Sequence, residues 1–176
     1  MSDLLDRIAA YVDNLMVLTE AEGRMLTWAG RQRFANARRL NRDPGQGPPH
    51  TAADNDIRAA HAEFAASILL DRSWRPTIGE IYSPDVSDVV EVRSTDLETG
   101  RLIVKPGDHD DAPFVLILAD MEARRFRFAG WMFGRDAKRW PTETRYGHSA
   151  HYVPQAALSP RVELVAWLNE REAGQL

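Results

Sequence analysis

In Phe114-Val115-Leu116-Ile117-Leu118-Ala119 both alternating sets of side chains are apolar. A strand points its side chains to two faces in turn, so a strand of this composition is covered on each side and lies centrally in a sheet. Working outward, the alternation predicts further strands over 77–82, 89–94, 101–104 and 126–133, with turns at Glu98-Thr99-Gly100 and Pro106-Gly107-Asp108. An irregular segment is expected over 138–150, then a short strand at Tyr152-Val153-Pro154 and a final amphipathic helix after Pro160.

Before the strands the apolar period changes to three and four. Leu4, Leu5, Ile8, Tyr11, Val12, Leu15, Met16 and Leu18 predict a helix over 3–20 that Gly23 ends. A second helix is expected over 25–40, and a third from Thr51 or Asp54 to about Leu70. Between them three prolines and two glycines in 41–49 make a linker. The expected fold is α/β of the α+β kind, a mixed central sheet flanked by helices. Its parts are an N-terminal helical extension over 1–45, a core over 51–160, and a C-terminal helix and tail over 161–176.

Composition narrows the chemistry. With no cysteine, disulfides, thiolate metal sites and cysteine nucleophiles are excluded, so a metal here would be held mainly through oxygen. A content of 44% hydrophobic residues suffices for a continuous core. No apolar run approaches the roughly 20 residues of a membrane span, and Asp3 and Asp6 do not suit a signal peptide. A cytoplasmic protein with no membrane partner is expected. The net charge is −4, but the signs are segregated: residues 24–42 hold Arg24, Arg31, Arg33, Arg38, Arg39 and Arg42 with no acid. A second basic excess includes Arg135, Lys138 and Arg139. Such asymmetry suits a surface that meets a polyanion, while a solvated helix face paired with the acidic N-terminal helix is the plainer alternative.

The stretch Ser83-Pro84-Asp85-Val86-Ser87-Asp88-Val89-Val90-Glu91-Val92-Arg93 supplies reactive groups. On a strand, Glu91 and Arg93 share one face while Val90 and Val92 enter the core, and a short hairpin sets Asp85 across from them. Two carboxylates beside a cation suit Mg²⁺ and a scissile phosphate. Glu63, among the small residues Ala59, Ala60, Ala66 and Ser67 on the third helix, projects toward the sheet. Asp108-His109-Asp110-Asp111 reads as a solvated loop, and His148 and His151 as loop or groove contacts.

The order of a helix with Glu63, a strand, Pro84-Asp85, a strand with Glu91-Val92-Arg93 and then an apolar strand resembles the PD-(D/E)xK restriction-endonuclease-like superfamily. The resemblance covers residues 54–119 and extends more loosely to about 158. There Gly130-Trp131, Gly134 to Arg139 and Tyr152-Val153-Pro154-Gln155 look like a pattern in small phage and actinobacterial proteins of this type. It implies an αβββα core and a Mg²⁺- or Mn²⁺-dependent nuclease acting on phosphodiester bonds, those of DNA in the first place. Asp85, Glu91 and Glu63 would be the metal ligands. Arg93, standing where the family has lysine, or Lys105 from the next strand, would stabilise charge. Arg31, Arg33, Arg38, Arg39, Arg135, Lys138 and Arg139 would grip the nucleic acid, and the N-terminal helices would offer a homodimer surface. The alternative is a nuclease-fold module without catalysis that binds nucleic acid or a partner protein.

Overall fold

A computed structural model describes residues 14–40, 52–76, 84–145 and 148–174. Within them lie the strands β1 (Leu15–Val17), β2 (Glu91–Thr95), β3 (Leu102–Val104), β4 (Pro113–Asp120), β5 (Arg125–Phe133), β6 (Thr142–Arg145) and β7 (His148–Val153). The helices are α1 (Glu20–Arg39), α2 (Ala52–Leu70), α3 (Gly134–Ala137) and α4 (Arg161–Ala173). The main sheet has the order β1-β5-β4-β2, antiparallel except for the parallel pair β2 and β4. A second, antiparallel sheet has the order β3-β7-β6.

The doubly apolar strand is central, as its composition requires. Val115, Ile117 and Ala119 of β4 pack in one core with Ala62, Ala65, Ala66 and Leu69 of α2 and Leu164 and Leu168 of α4. Phe114, Leu116 and Leu118, on the opposite face, pack with Leu102, Val104 and Val153 of the second sheet. The architecture is therefore α+β, a mixed sheet with helices against it. The small side chains of α2 bring its axis close to the strands. β2 lies at the edge of the sheet, and the chain passes through β3 in the other sheet before returning as β4 beside it.

The N-terminal expectation needs correction. Residues 15–17 form a strand paired with β5, so no helix continues to residue 20. Thr19 starts α1 instead: its hydroxyl accepts the Glu22 N–H at 3.2 Å while Glu22 accepts the Thr19 N–H at 2.7 Å. This reciprocal cap satisfies donors that a first turn leaves unpaired. Gly23 is buried inside α1 rather than ending a helix. Met16, Leu18 and Leu26 belong to the same core as α2 and β4, so residues 15–40 are built into the main body rather than appended to it. α1 and α2 approach closely at Gly30, where a Cβ would stand 2.4 Å from the Ile57 Cα.

The segment expected to be irregular contains β6, and the strand expected at 152–154 is longer, His148–Val153. His151 lies on it and donates from Nδ1 to the Trp140 carbonyl at 2.7 Å. Residues 3–13 of the helix expected over 3–20, the linker over 41–49 and the strand over 77–82 lie outside the described residues. Among those residues no helix is long and apolar enough to cross a membrane.

Candidate functional site

Within the described residues the turn of the expected hairpin is tight. Val86 pairs with Val90, and Ser87 and Asp88 between them take left-handed φ angles of 52° and 55°. Short polar residues tolerate that conformation best among non-glycine types. Val90 and Val92 enter the core, while Glu91 and Arg93 share the other face of β2. The Asp85 Oδ2 accepts the Val92 N–H at 2.8 Å. The acid is thereby bound to the side of β2 that, among the described residues, no other strand occupies.

Each carboxylate of the expected metal site has a partner from the chain. Glu63, only 5% exposed, receives Arg33 of α1 with both oxygens, at 2.7 and 2.5 Å, and the Trp74 indole N–H at 3.3 Å. Arg93 Nη1 lies 3.3 Å from Glu91 Oε2 and 3.3 Å from the Val92 carbonyl, and its Nη2 lies 3.0 Å from Asp108 Oδ2. Phe114 supports the same guanidinium from below, 5.0 Å from its ring centre. Burial opposes the charge of both arginines. Glu63 more than offsets this at Arg33, and Asp108 and Glu91 do so at Arg93, so both pKa values are raised and both groups stay cationic.

Asp85 is different. Desolvation raises its pKa well above the usual carboxylate range, and the charges of Glu63 and Glu91 add to the rise against the Val92 N–H and Arg93. A carboxyl with a folded pKa above its unfolded value contributes stability that is full below the unfolded value, 3.8, and is lost as pH rises through the folded one. Asp85→Asn keeps an oxygen for the Val92 N–H and removes the unfavourable charge. It is expected to be more stable than the parent chain near pH 8, with the gain shrinking toward about pH 4. Urea denaturation at the two pH values measures this, and a loss of stability near pH 8 would contradict it.

These contacts decide whether Mg²⁺ fits. Glu91, one of the acids the resemblance assigns to the metal, and the neighbouring Val92 carbonyl already face one guanidinium nitrogen. Arg33 holds both oxygens of the third acid, and Asp85 is driven toward its neutral form. Among the described residues no group of three or more histidines and acids stands where one ion could be shared. As arranged, the residues do not fit the metal: arginines hold the positions of the cations. Lys105 brings its backbone N–H to Asp108, the acid that also receives Arg93, at 2.9 Å, and its residue is exposed.

The cations named for nucleic acid divide into two sets. Arg33 is buried against Glu63 and is not part of a phosphate-gripping surface. Lys138 meets Asp110 at 2.5 Å, Arg135 meets Asp111 at 2.6 Å and Arg139 meets Asp136 at 3.4 Å, so the expected solvated loop 108–111 is the counterpart of the second basic cluster. Arg38 stacks over Phe34, and Arg39 donates to Asn36. Arg31 instead lines a groove of about 600 Å³ between α1 and the β4–β5 turn, together with Arg24, Arg124, Gln32 and Trp28. Trp28 is 57% exposed, and Glu20, paired with Arg24 at 2.5 Å, is the acid in that lining.

Sequence reasoning missed two groups here. Asp108 joins Arg93 because the turn after β3 carries it back beside β2, and only its place after Pro106-Gly107 hinted at such a turn. Trp28 lies inside the helix expected over 25–40, where the arginines three residues away at Arg31 and four away at Arg24 mark a shared helical face. Comparison with known protein families, curated proteins and solved structures finds no match to this chain.

Proposed function

We propose that this protein binds single-stranded nucleic acid without cleaving it, through the groove between α1 and the β4–β5 turn. The observation that carries the reading is the exposed Trp28 ring set among Arg24, Arg31 and Arg124. An indole open to solvent stacks on a base of either sugar type, and guanidiniums on each side take the flanking phosphates, which is how sequence-tolerant single-strand binders work. A duplex hides its base faces, so the exposed ring favours an unpaired strand. The arginine-balanced acid cluster supports the absence of metal-dependent cleavage, since Glu63, Glu91 and the Val92 carbonyl are already engaged.

The test is anisotropy of a labelled single-stranded DNA oligonucleotide against salt, with and without Mg²⁺. Trp28→Ala is expected to weaken binding about tenfold. Arg31→Ala is expected to reduce the slope of log K against log salt by about 0.7. Binding unchanged by Trp28→Ala sinks the groove. Mg²⁺-dependent cleavage that disappears in Glu91→Gln replaces this reading with the nuclease one.

A further inference from the structure

A second cavity lies where the two sheets part beyond the edge strand β2, about 530 Å³ in volume and away from the Trp28 groove. Arg58 of α2, Arg93 of β2, Arg101 before β3 and Arg145 of β6 all line it, with the Tyr152 ring and the Thr99 side of the β2–β3 loop, and no acidic residue is in its lining. Four guanidiniums brought from separate elements onto one concave surface are not a feature of helical charge patterning.

Four carboxylates outside the lining stand behind the four arginines and hold them. Arg101 reaches Glu143 at 3.1 Å, and Arg145 pairs with the same Glu143, so one acid serves two cations. Arg58 has Asp96 at 3.6 Å and Asn55 at 2.8 Å, and its Nε is buried without a hydrogen-bond partner among the described residues. Arg93 is held by Glu91 and Asp108, and Arg145 lies 4.4 Å over the Tyr152 ring. These contacts hold the guanidinium planes in place before any ligand arrives. Planar guanidiniums donate in pairs to phosphate oxygens and stay charged at every working pH. The volume exceeds what one phosphate fills and falls in the range of small-molecule sites.

We propose that this cleft binds a nucleoside phosphate, with the phosphate held among Arg58, Arg93, Arg101 and Arg145 and the nucleoside in the rest of the cavity. The group arrives either as a free nucleotide or as the phosphorylated end of a strand. Isothermal titration calorimetry on the full chain compares a nucleoside monophosphate with a short oligonucleotide bearing a 5′-phosphate or a 5′-hydroxyl. Arg101 and Glu143 are substantially exposed, so Arg101→Gln is expected to leave the fold intact, checked by circular dichroism. It should weaken binding of the monophosphate about tenfold. A 5′-phosphorylated strand that binds more tightly than its 5′-hydroxyl counterpart, with the difference lost in Arg101→Gln, supports the strand end as the source. Monophosphate binding without that difference supports the free nucleotide. Heat from neither phosphate ligand, or binding unchanged in both Arg101→Gln and Arg145→Gln, overturns the proposal. Trp28→Ala leaves the monophosphate affinity unchanged, so the fate of this cleft and that of the α1 groove are read separately.

Discussion

Arg33→Met is expected to destabilise the protein by about 3–5 kcal/mol, the cost of leaving one charge of a buried pair uncompensated. Arg33 and Glu63 are 12% and 5% exposed, joined by two hydrogen bonds from one guanidinium, with Trp74 closing on the same carboxylate. Methionine fills much of the arginine volume but strands the carboxylate between two helices. The loss comes from that stranded charge, so the double variant Arg33→Met with Glu63→Leu should recover most of it. Chemical denaturation of the two single variants and the double gives the coupling directly. Additive single-variant losses would show that the pair is not the unit that holds α1 on α2. If the pair is that unit, the acid expected to serve a metal serves the joint between the helices.

Gly30→Ala should cost about 3 kcal/mol, at the upper end of the range for overpacking. The added methyl would meet the Ile57 Cα at 2.4 Å, the Asp56 carbonyl at 2.8 Å and the Ile57 nitrogen at 2.8 Å. All three are backbone atoms, so no rotamer change relieves the overlap and the helices must separate. Separation would also pull Arg33 from Glu63, because both pairs lie on the same two helices. A thermal melt of Gly30→Ala within about a degree of the parent would show that the contact is looser than described.

The strands were legible because their apolar alternation is local. Phe114 to Ala119 carries its double burial in its own composition, and the expected strand 126–133 matches β5 to one residue. The third helix was legible for the same reason. Residues 15–17 were misread because Leu15, Met16 and Leu18 fit a helical period as well as a strand, and a run of four apolar residues cannot choose between them. Thr19-Glu20-Ala21-Glu22 did carry the deciding mark, a capping box with Thr19 as the cap and Glu22 three residues on.

The acid cluster was legible as residue types and a hairpin, and Asp85, Glu91 and Arg93 do come together there. What each group does was not. Whether a carboxylate takes a metal or an arginine depends on which cation the fold brings to it: Arg33 comes to Glu63 from 30 residues away, and Arg93, two residues from Glu91, is also joined by Asp108 from 15 residues away.

By itself the sequence determined the central strand, the turn after Asp85, the helix carrying Glu63 and the absence of thiol chemistry in a chain without cysteine. These follow from short-range pattern and composition, which act through backbone geometry over a few residues. Only the tertiary structure decided that Arg33 and Arg93 hold the acids, that Lys138 and Arg135 answer the loop 108–111, and that four arginines meet in one cleft. Charges act through space, and a charge's partner is whichever group packing sets within a few ångströms, however distant it is along the chain.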